Sequence, residues 1–130
     1  MRVSAIGFQQ LLQQNVVEAH FVRRHKKAGW KPTRRMLCTL DRNLLNSMAG
    51  RVALNFTNPV YPPPYPAKAY NLVVVWDLFW QNWRAVPAET LDIVTVIPTH
   101  TAKQQEFFWA YFSQFLAKLS AQDKQAFMNT

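Results

Sequence analysis

The sequence predicts an α+β protein with a mainly antiparallel β-sheet or a partly open β-barrel, a short N-terminal helix and an aromatic C-terminal helix. Two observations support this fold class. Apolar residues alternate with period two in short segments between about residues 16 and 98, and they recur at helical spacing before and after that region. A chain of 130 residues is long enough for one domain, so residues 1–130 are predicted to fold as a single unit.

The N-terminal helix is predicted over about residues 4–14. Ser4 is a suitable N-cap, and Phe8, Leu11 and Leu12 form a partial apolar stripe among glutamines. Such a helix most often packs on the core of its own domain; the alternative is a helix that binds a partner. It carries no residues that suggest catalysis.

Two strands are predicted next, over residues 16–22 and 33–40, with turn-forming residues at positions 28–32 between them. Seven of the fifteen basic residues lie in this connection and at its borders, with no carboxylate among them. They are Arg23, Arg24, Lys26, Lys27, Lys31, Arg34 and Arg35. We call residues 23–35 the basic stretch. Its first two arginines would lie roughly opposite its last two, and because facing like charges are destabilising, this pattern favours a bound anion.

The next part of the chain is predicted to contain two short elements followed by one stiff loop. Residues 41–47 are typical of a capped helical turn, and residues 51–57 predict a strand with Val52, Leu54 and Phe56 directed inward. Residues 58–69, NPVYPPPYPAKA, hold five of the eight prolines, which disfavour a central strand. This loop is either a rigid connection or an aromatic surface, formed by Tyr61, Tyr65 and Lys68, for bases or a partner.

Three further strands and a helix complete the prediction. Residues 71–77 are apolar on both faces, which favours an interior strand or one with an oligomer contact. A second strand ends before Pro87, and residues 91–97 form the last one. A helical segment is predicted over about 101–128, opened by a Thr101–Gln104 capping box. Its aromatic side chains are predicted to cap the sheet or to form a dimer or tetramer interface through Phe108, Tyr111, Phe112 and Phe115.

The residue content argues against an enzyme. The glycines are too few and too scattered for a phosphate-binding loop, and the carboxylates do not form an acidic cluster. Cys38 is the single cysteine and falls in the inward set of a predicted strand, where a thiol is usually inert. We therefore expect no catalytic residues, no metal and no cofactor, and a site formed between subunits is the remaining catalytic alternative.

The location expected from the sequence is the cytoplasm. A lone cysteine cannot form an intrachain disulfide, which fits a reducing compartment. The first fifteen residues lack the apolar core of a signal peptide, and the longest apolar run, residues 72–76, is too short to span a membrane. No membrane association is predicted.

Positive charge next to aromatic rings is the chemistry that remains. The formal net charge of +8 favours polyanionic partners, and lysines and arginines bind phosphates without sequence preference. Exposed aromatic rings stack on unpaired bases, which selects single strands. The basic stretch would supply phosphate contacts and Trp30 would stack, assisted by Tyr61, Tyr65 and Lys68. We therefore expect largely sequence-independent binding of single-stranded DNA or RNA.

Two segments carry a family resemblance: FVRRHKKAGWKPTRRMLCTL and NLVVVWDLFWQNWRAVPAETLDIVTVIP. A basic strand pair before a "CTL" strand end, followed by a "VWDL…WR" strand pair, resembles small phage-encoded proteins with an Sm-like or SH3-like β-barrel, loosely related to WYL domains. The chain is also similar to phage single-stranded-DNA-binding cofactors of a virus-encoded RNA polymerase. That resemblance implies DNA binding, recruitment of the polymerase, a homo-oligomer, and residence in the host bacterial cytoplasm; a role in replication is also compatible.

An alternative interpretation belongs to another functional class. The protein would be a phage-encoded interaction protein that binds and redirects host RNA polymerase or another host enzyme without touching nucleic acid. The aromatic helix or the loop at 58–69 would then form the contact surface, and charge would only steer association.

Overall fold

The computed structural model describes residues 2–24, 32–53 and 71–122, which form an α+β fold around a five-stranded antiparallel sheet. In chain order the elements are α1 (Ala5–Leu12), β1 (Asn15–Val22), β2 (Thr33–Thr39), α2 (Arg42–Asn46), α3 (Met48–Ala53), β3 (Leu72–Asp77), β4 (Asn82–Pro87), β5 (Asp92–Pro98) and α4 (Ala102–Lys118). The α+β class and the helices at both ends of the sequence are confirmed. No helix in these ranges is both long enough and apolar enough to cross a bilayer.

The strand order is β4-β3-β2-β1-β5, and in the described ranges the sheet is open, with β4 and β5 at its edges. β1 and β2 pair along their whole common length, from Val16–Thr39 to Val22–Thr33. β2 and β3 pair only at Cys38–Asp77 and Thr39–Trp76. The first half of β2 is therefore not paired with β3.

Both faces of the sheet are covered, which explains why β3 is apolar on both sides. Phe8 and Leu12 of α1 pack against one face, in a cluster that includes Val75. Phe108 and Trp109 of α4 pack against the other face, in a second cluster built around buried tryptophans of β3 and β4. An interior position for β3 is confirmed, because it lies between β4 and β2.

The helix caps follow the predicted chemistry. The Ser4 hydroxyl accepts a hydrogen bond from the backbone N–H of Gly7 at the start of α1. At the start of α4 the Thr101 hydroxyl accepts from the Gln104 N–H, and the Gln104 side chain accepts from the Thr101 N–H. The capping box is therefore confirmed, and it fixes where the aromatic helix begins.

The strand predicted over residues 51–57 is wrong for its first three residues, which belong to helix α3. The Ser47 hydroxyl accepts from the Gly50 N–H, and the Ser47 carbonyl accepts from the Arg51 N–H, so capping chemistry sets a helix here. Val52 is exposed rather than directed inward. The remaining residues of that prediction, 54–57, lie outside the described ranges.

Candidate nucleic-acid interface

The two borders of the basic stretch meet at the end of the β1–β2 pair, but in a different register from the one predicted. Arg34 lies opposite Phe21, and Arg35 lies opposite His20. The backbone N–H of Arg23 donates to the carbonyl of Pro32 at 2.9 Å. The predicted facing of arginine against arginine is therefore wrong by about three positions, and these arginines are not paired directly across the strands.

Arg34 lies inside the fold rather than on its surface. Its Nη2 donates to Oδ2 of Asp77 at 2.6 Å, and the two side chains are only 5% and 1% exposed. The other carboxylate oxygen of Asp77 accepts the backbone N–H groups of Phe79 and Trp80. Burial lowers the pKa of Arg34 to about 10, so the guanidinium stays charged at neutral pH. Arg34 thus joins β2 to the β3–β4 turn, an internal role that the sequence did not predict.

Arg24 and Arg35 each have a carboxylate partner nearer the surface. Arg24 donates from Nε and Nη2 to both oxygens of Glu89, at 2.6 and 2.7 Å. The Arg24 hydrogen bond lowers the pKa of Glu89 below its ordinary value. Arg35 contacts Glu18 at 3.4 Å, and Glu18 also contacts His20. Both arginines therefore lie nearer the surface than Arg34, each beside a carboxylate.

Two further arginines lie close enough to Arg34 for their charges to act on it. The charges of Arg23 and Arg84 both lower the pKa of Arg34, after the larger effect of burial. Arg23 is itself buried, and that burial lowers its pKa. We call Arg23, Arg34 and Arg84 the arginine cluster. The charge of Asp77 opposes the effect of Arg23 and Arg84 on Arg34.

Trp80 and Arg84 are candidate contacts that the sequence interpretation missed. Trp80 lies in the β3–β4 turn and is 38% exposed, and the Arg84 guanidinium lies 5.9 Å from the centroid of its ring. Gln81, beside it, has a φ of 50°, which marks a tight turn that presents the indole outward. The sequence signal for this contact is the aromatic segment "WDLFWQNWR", whose pattern by itself predicts only a strand pair.

Several predicted contacts cannot be placed in this geometry. Lys26, Lys27, Trp30 and Lys31 of the basic stretch lie outside the described residues, as do Tyr61, Tyr65 and Lys68 of the proline-rich loop. Their predicted roles stay predictions. Of the predicted phosphate contacts, the structure therefore places only the four arginines at the borders of the basic stretch.

The predicted oligomer surface on α4 divides into buried and accessible residues. Phe108 and Phe112 are buried in the core of the same chain, and Phe115 is partly buried beside them. Phe112 contacts the rings of Phe108 and Phe79, and Phe115 also contacts Phe79. Tyr111 is exposed, and so is Phe107, which the prediction did not include. An interface on this helix would therefore depend on Tyr111 and Phe107, because Phe108 and Phe112 are already used by the subunit itself.

Cys38 lies in the interior of the sheet, as its inward position in β2 predicted. The thiol donates to the carbonyl of Val17 at 3.6 Å, and burial raises its pKa. We expect the native protein to react with a thiol-specific aromatic disulfide reagent far more slowly than the protein unfolded in guanidinium chloride. Equal rates in the two conditions would contradict a buried thiol; a small-molecule thiol in the same denaturant is the control.

Metal-binding side chains do not converge in the part of the chain that the structure describes. No group of three or more histidine, cysteine, aspartate or glutamate residues is close enough there to hold an ion. His20 is engaged with Glu18, and Asp41 caps α2 and accepts a hydrogen bond from Thr99. The Asp41 carboxylate therefore caps helix α2, and the Glu18 carboxylate contacts a neighbour on its own strand.

Comparison with protein-family models, with curated proteins and with solved structures gives no significant match to this chain.

Proposed function

We propose that the protein binds single-stranded nucleic acid, DNA in the first instance, without catalysing a reaction. The observation that carries the proposal is the arginine cluster beside an exposed tryptophan, at the end of the strands that hold the basic stretch. Cations supply affinity for phosphates, and an aromatic ring with a neighbouring guanidinium provides a stacking surface for an unpaired base.

A stacking contact through Trp80 favours a single strand over a duplex. Reading a duplex in the major groove generally uses a helix or ribbon that presents base-contacting polar side chains. Helices α2 and α3 have only five and six residues. Stacking by Trp80 requires a base that is not already stacked in a helix on both sides.

The test is fluorescence anisotropy with a labelled oligo-dT strand and with the matching duplex, each over a salt series. We expect tighter binding to the single strand, with an affinity that falls linearly with salt concentration on logarithmic axes. Equal affinity for both forms would reduce the proposal to unspecific polyanion binding. An affinity that does not change with salt would overturn it.

Arg24→Gln and Arg35→Gln variants make the assay specific to the basic stretch. In each variant, the slope of the logarithm of affinity against the logarithm of salt concentration should become less steep by about 0.7. This is the value for one phosphate contact on a single strand. Arg51→Gln is the matched control, because it removes an exposed arginine from helix α3 instead. A steepness that falls equally in all three variants would indicate a general charge effect and contradict the assignment.

The Trp80→Ala variant tests the stacking contact separately. We expect it to weaken oligo-dT binding by about 1–3 kcal/mol, the usual cost of losing one base–aromatic stack. The salt dependence should stay unchanged, since no charge is removed. Unchanged affinity would exclude Trp80 from the interface.

A second candidate function is supported by exposed apolar residues on another part of the surface. Phe107 and Tyr111, which lie one turn apart on α4, are both exposed, and so is Val94 of the edge strand β5. The exposed aromatic residues of α4 suit a protein contact, either with a second copy of the chain or with a polymerase as the phage resemblance implies. An apolar contact responds little to salt, so the same series separates it from phosphate binding.

The relation to Sm-like or SH3-like phage proteins is likewise a proposal. Its support is an N-terminal helix followed by a five-stranded antiparallel sheet whose first two strands border the basic stretch. Under this proposal the protein acts in transcription or replication of a phage.

A further inference from the structure

A cavity of about 450 Å³ lies between the end of the β1–β2 pair and the ends of β3 and β4. Three of its lining residues are arginines: Arg23, Arg24 and Arg34. The other described residues that line it are Phe21, Leu72, Ala85 and Pro87. The volume is within the range of about 300–1,000 Å³ that is typical of small-molecule sites, and apolar walls with a few convergent polar groups are their usual composition.

The charges around this cavity favour an anionic occupant. Arg24 is paired with Glu89 and Arg34 with Asp77, and the charges of Arg23 and Arg84 also act on Arg34. Three guanidinium groups therefore line one cavity. The geometry of a phosphate matches the paired N–H donors of arginine, so such a lining suits a phosphate.

Arg34 also carries a donor that the described residues do not satisfy. Its Nη2 is used by Asp77, whereas its Nε is buried and has no hydrogen-bond acceptor among them. The residue is 6% exposed and lines the cavity. Buried donors are nearly always hydrogen-bonded in native proteins, so an anionic ligand that reached Arg34 could accept this hydrogen bond.

The other described lining residues suit an apolar group rather than a second charge. Phe21 and Pro87 are buried, Leu72 and Ala85 are half-buried, and all four are uncharged. A ligand with a phosphate at one end and a planar ring at the other would contact both halves of the cavity. Within the proposed function, a nucleotide has this chemistry.

We propose that this cavity holds one nucleotide of the bound strand, with its phosphate on Arg23, Arg24 and Arg34 and its base against Phe21, Leu72 and Pro87. The inference rests on the proposed function and specifies it further. Most of the strand would remain on the outer surface, where Trp80 stacks, while one nucleotide turns inward. Part of the affinity for the strand then depends on whether one nucleotide fits the cavity. Charge alone would not produce such a dependence on size.

The probes are thymidine monophosphate, thymidine and inorganic phosphate, each titrated into the full-length protein by isothermal titration calorimetry. We expect thymidine monophosphate to bind, and the two fragments to bind about tenfold or more weakly, because each lacks one half of the contacts. Inorganic phosphate that binds as tightly as the nucleotide would overturn the base contact. Absence of nucleotide binding would overturn the inference entirely.

Ala85→Phe is the decisive variant, since it fills the cavity and leaves every charge in place. It should weaken nucleotide binding about tenfold or more, as an added ring occupies the space of the base. Ala117→Phe is the matched control, because it makes the same change at an exposed position of α4. Nucleotide binding that is equal in both variants would place the site elsewhere and overturn the assignment.

A spectroscopic readout keeps the inference testable if Ala85→Phe does not fold. In the wild-type protein, thymidine monophosphate should shift the backbone amide resonances of Phe21, Leu72 and Ala85 more than those of Val94 on β5. Shifts of equal size would overturn the location. Oligo-dT binding without nucleotide binding would overturn this inference alone, whereas nucleotide binding without oligo-dT binding would overturn the proposed function.

Discussion

Replacing Asp77 by alanine is expected to lower the free energy of unfolding by about 3–5 kcal/mol, the usual cost of leaving one partner of a buried ion pair uncompensated. Arg34 would keep its charge in the interior without the carboxylate that it contacts at 2.6 Å. The backbone N–H groups of Phe79 and Trp80 would also lose their acceptor, so the β3–β4 turn should loosen. Urea unfolding followed by tryptophan fluorescence measures the change.

Two companion variants separate the buried pair from a general loss of charge. Glu89→Ala removes the carboxylate of a solvent-accessible arginine pair and should change stability little. Combining Asp77→Leu with Arg34→Met should recover much of the stability lost by Asp77→Ala, because no buried charge is then left alone. Equal unfolding midpoints for Asp77→Ala and Glu89→Ala would contradict the buried pair.

Phe108→Ala is the second change with a large expected effect, about 3–5 kcal/mol of lost stability, as is usual for deleting a buried phenylalanine ring. Phe108 is 0% exposed and packs in the cluster between α4 and the sheet. Phe107, its neighbour in the chain, is 69% exposed. Phe107→Ala should therefore change stability by no more than about 0.5 kcal/mol. Thermal unfolding of the two variants side by side gives the comparison.

The same pair of variants tests the proposed oligomer. If a second copy binds at the accessible side of α4, Phe107→Ala should weaken self-association and leave the monomer stable, as measured by analytical ultracentrifugation. If Phe107→Ala unfolds the protein as readily as Phe108→Ala does, the burial pattern of α4 described above is wrong. Phe108→Ala by itself says nothing about the interface, because it disturbs the monomer.

The periodic parts of the chain were predictable because the local pattern and the tertiary environment agree. Strand β2 was expected over residues 33–40 and spans Thr33–Thr39, and the Thr101–Gln104 capping box was identified from spacing alone. Helix α3 was missed at residues 51–53. The alternation of Val52, Leu54 and Phe56 resembles a strand, whereas the hydrogen bonds of Ser47 to Gly50 and Arg51 decide for a helix at residues 51–53.

The basic stretch shows what the number of charged residues in a sequence leaves undetermined. A sequence records how many arginines are present, but not which of them meet a carboxylate from a distant part of the chain. Asp77 and Glu89 lie 43 and 65 positions after their arginine partners. One arginine was thereby moved from a predicted exposed face into the interior, and a cavity formed beside it.

The sequence by itself determined the α+β class, the helices at both ends, the sheet segments and the concentration of positive charge, because each depends on local spacing or composition. Tertiary structure alone decided the register of β1 on β2, the burial of Arg34 and the division of the α4 aromatics between core and surface. It also placed Trp80 beside Arg84. These features depend on contacts between residues far apart in the chain, whose geometry is set by how the sheet and helices pack.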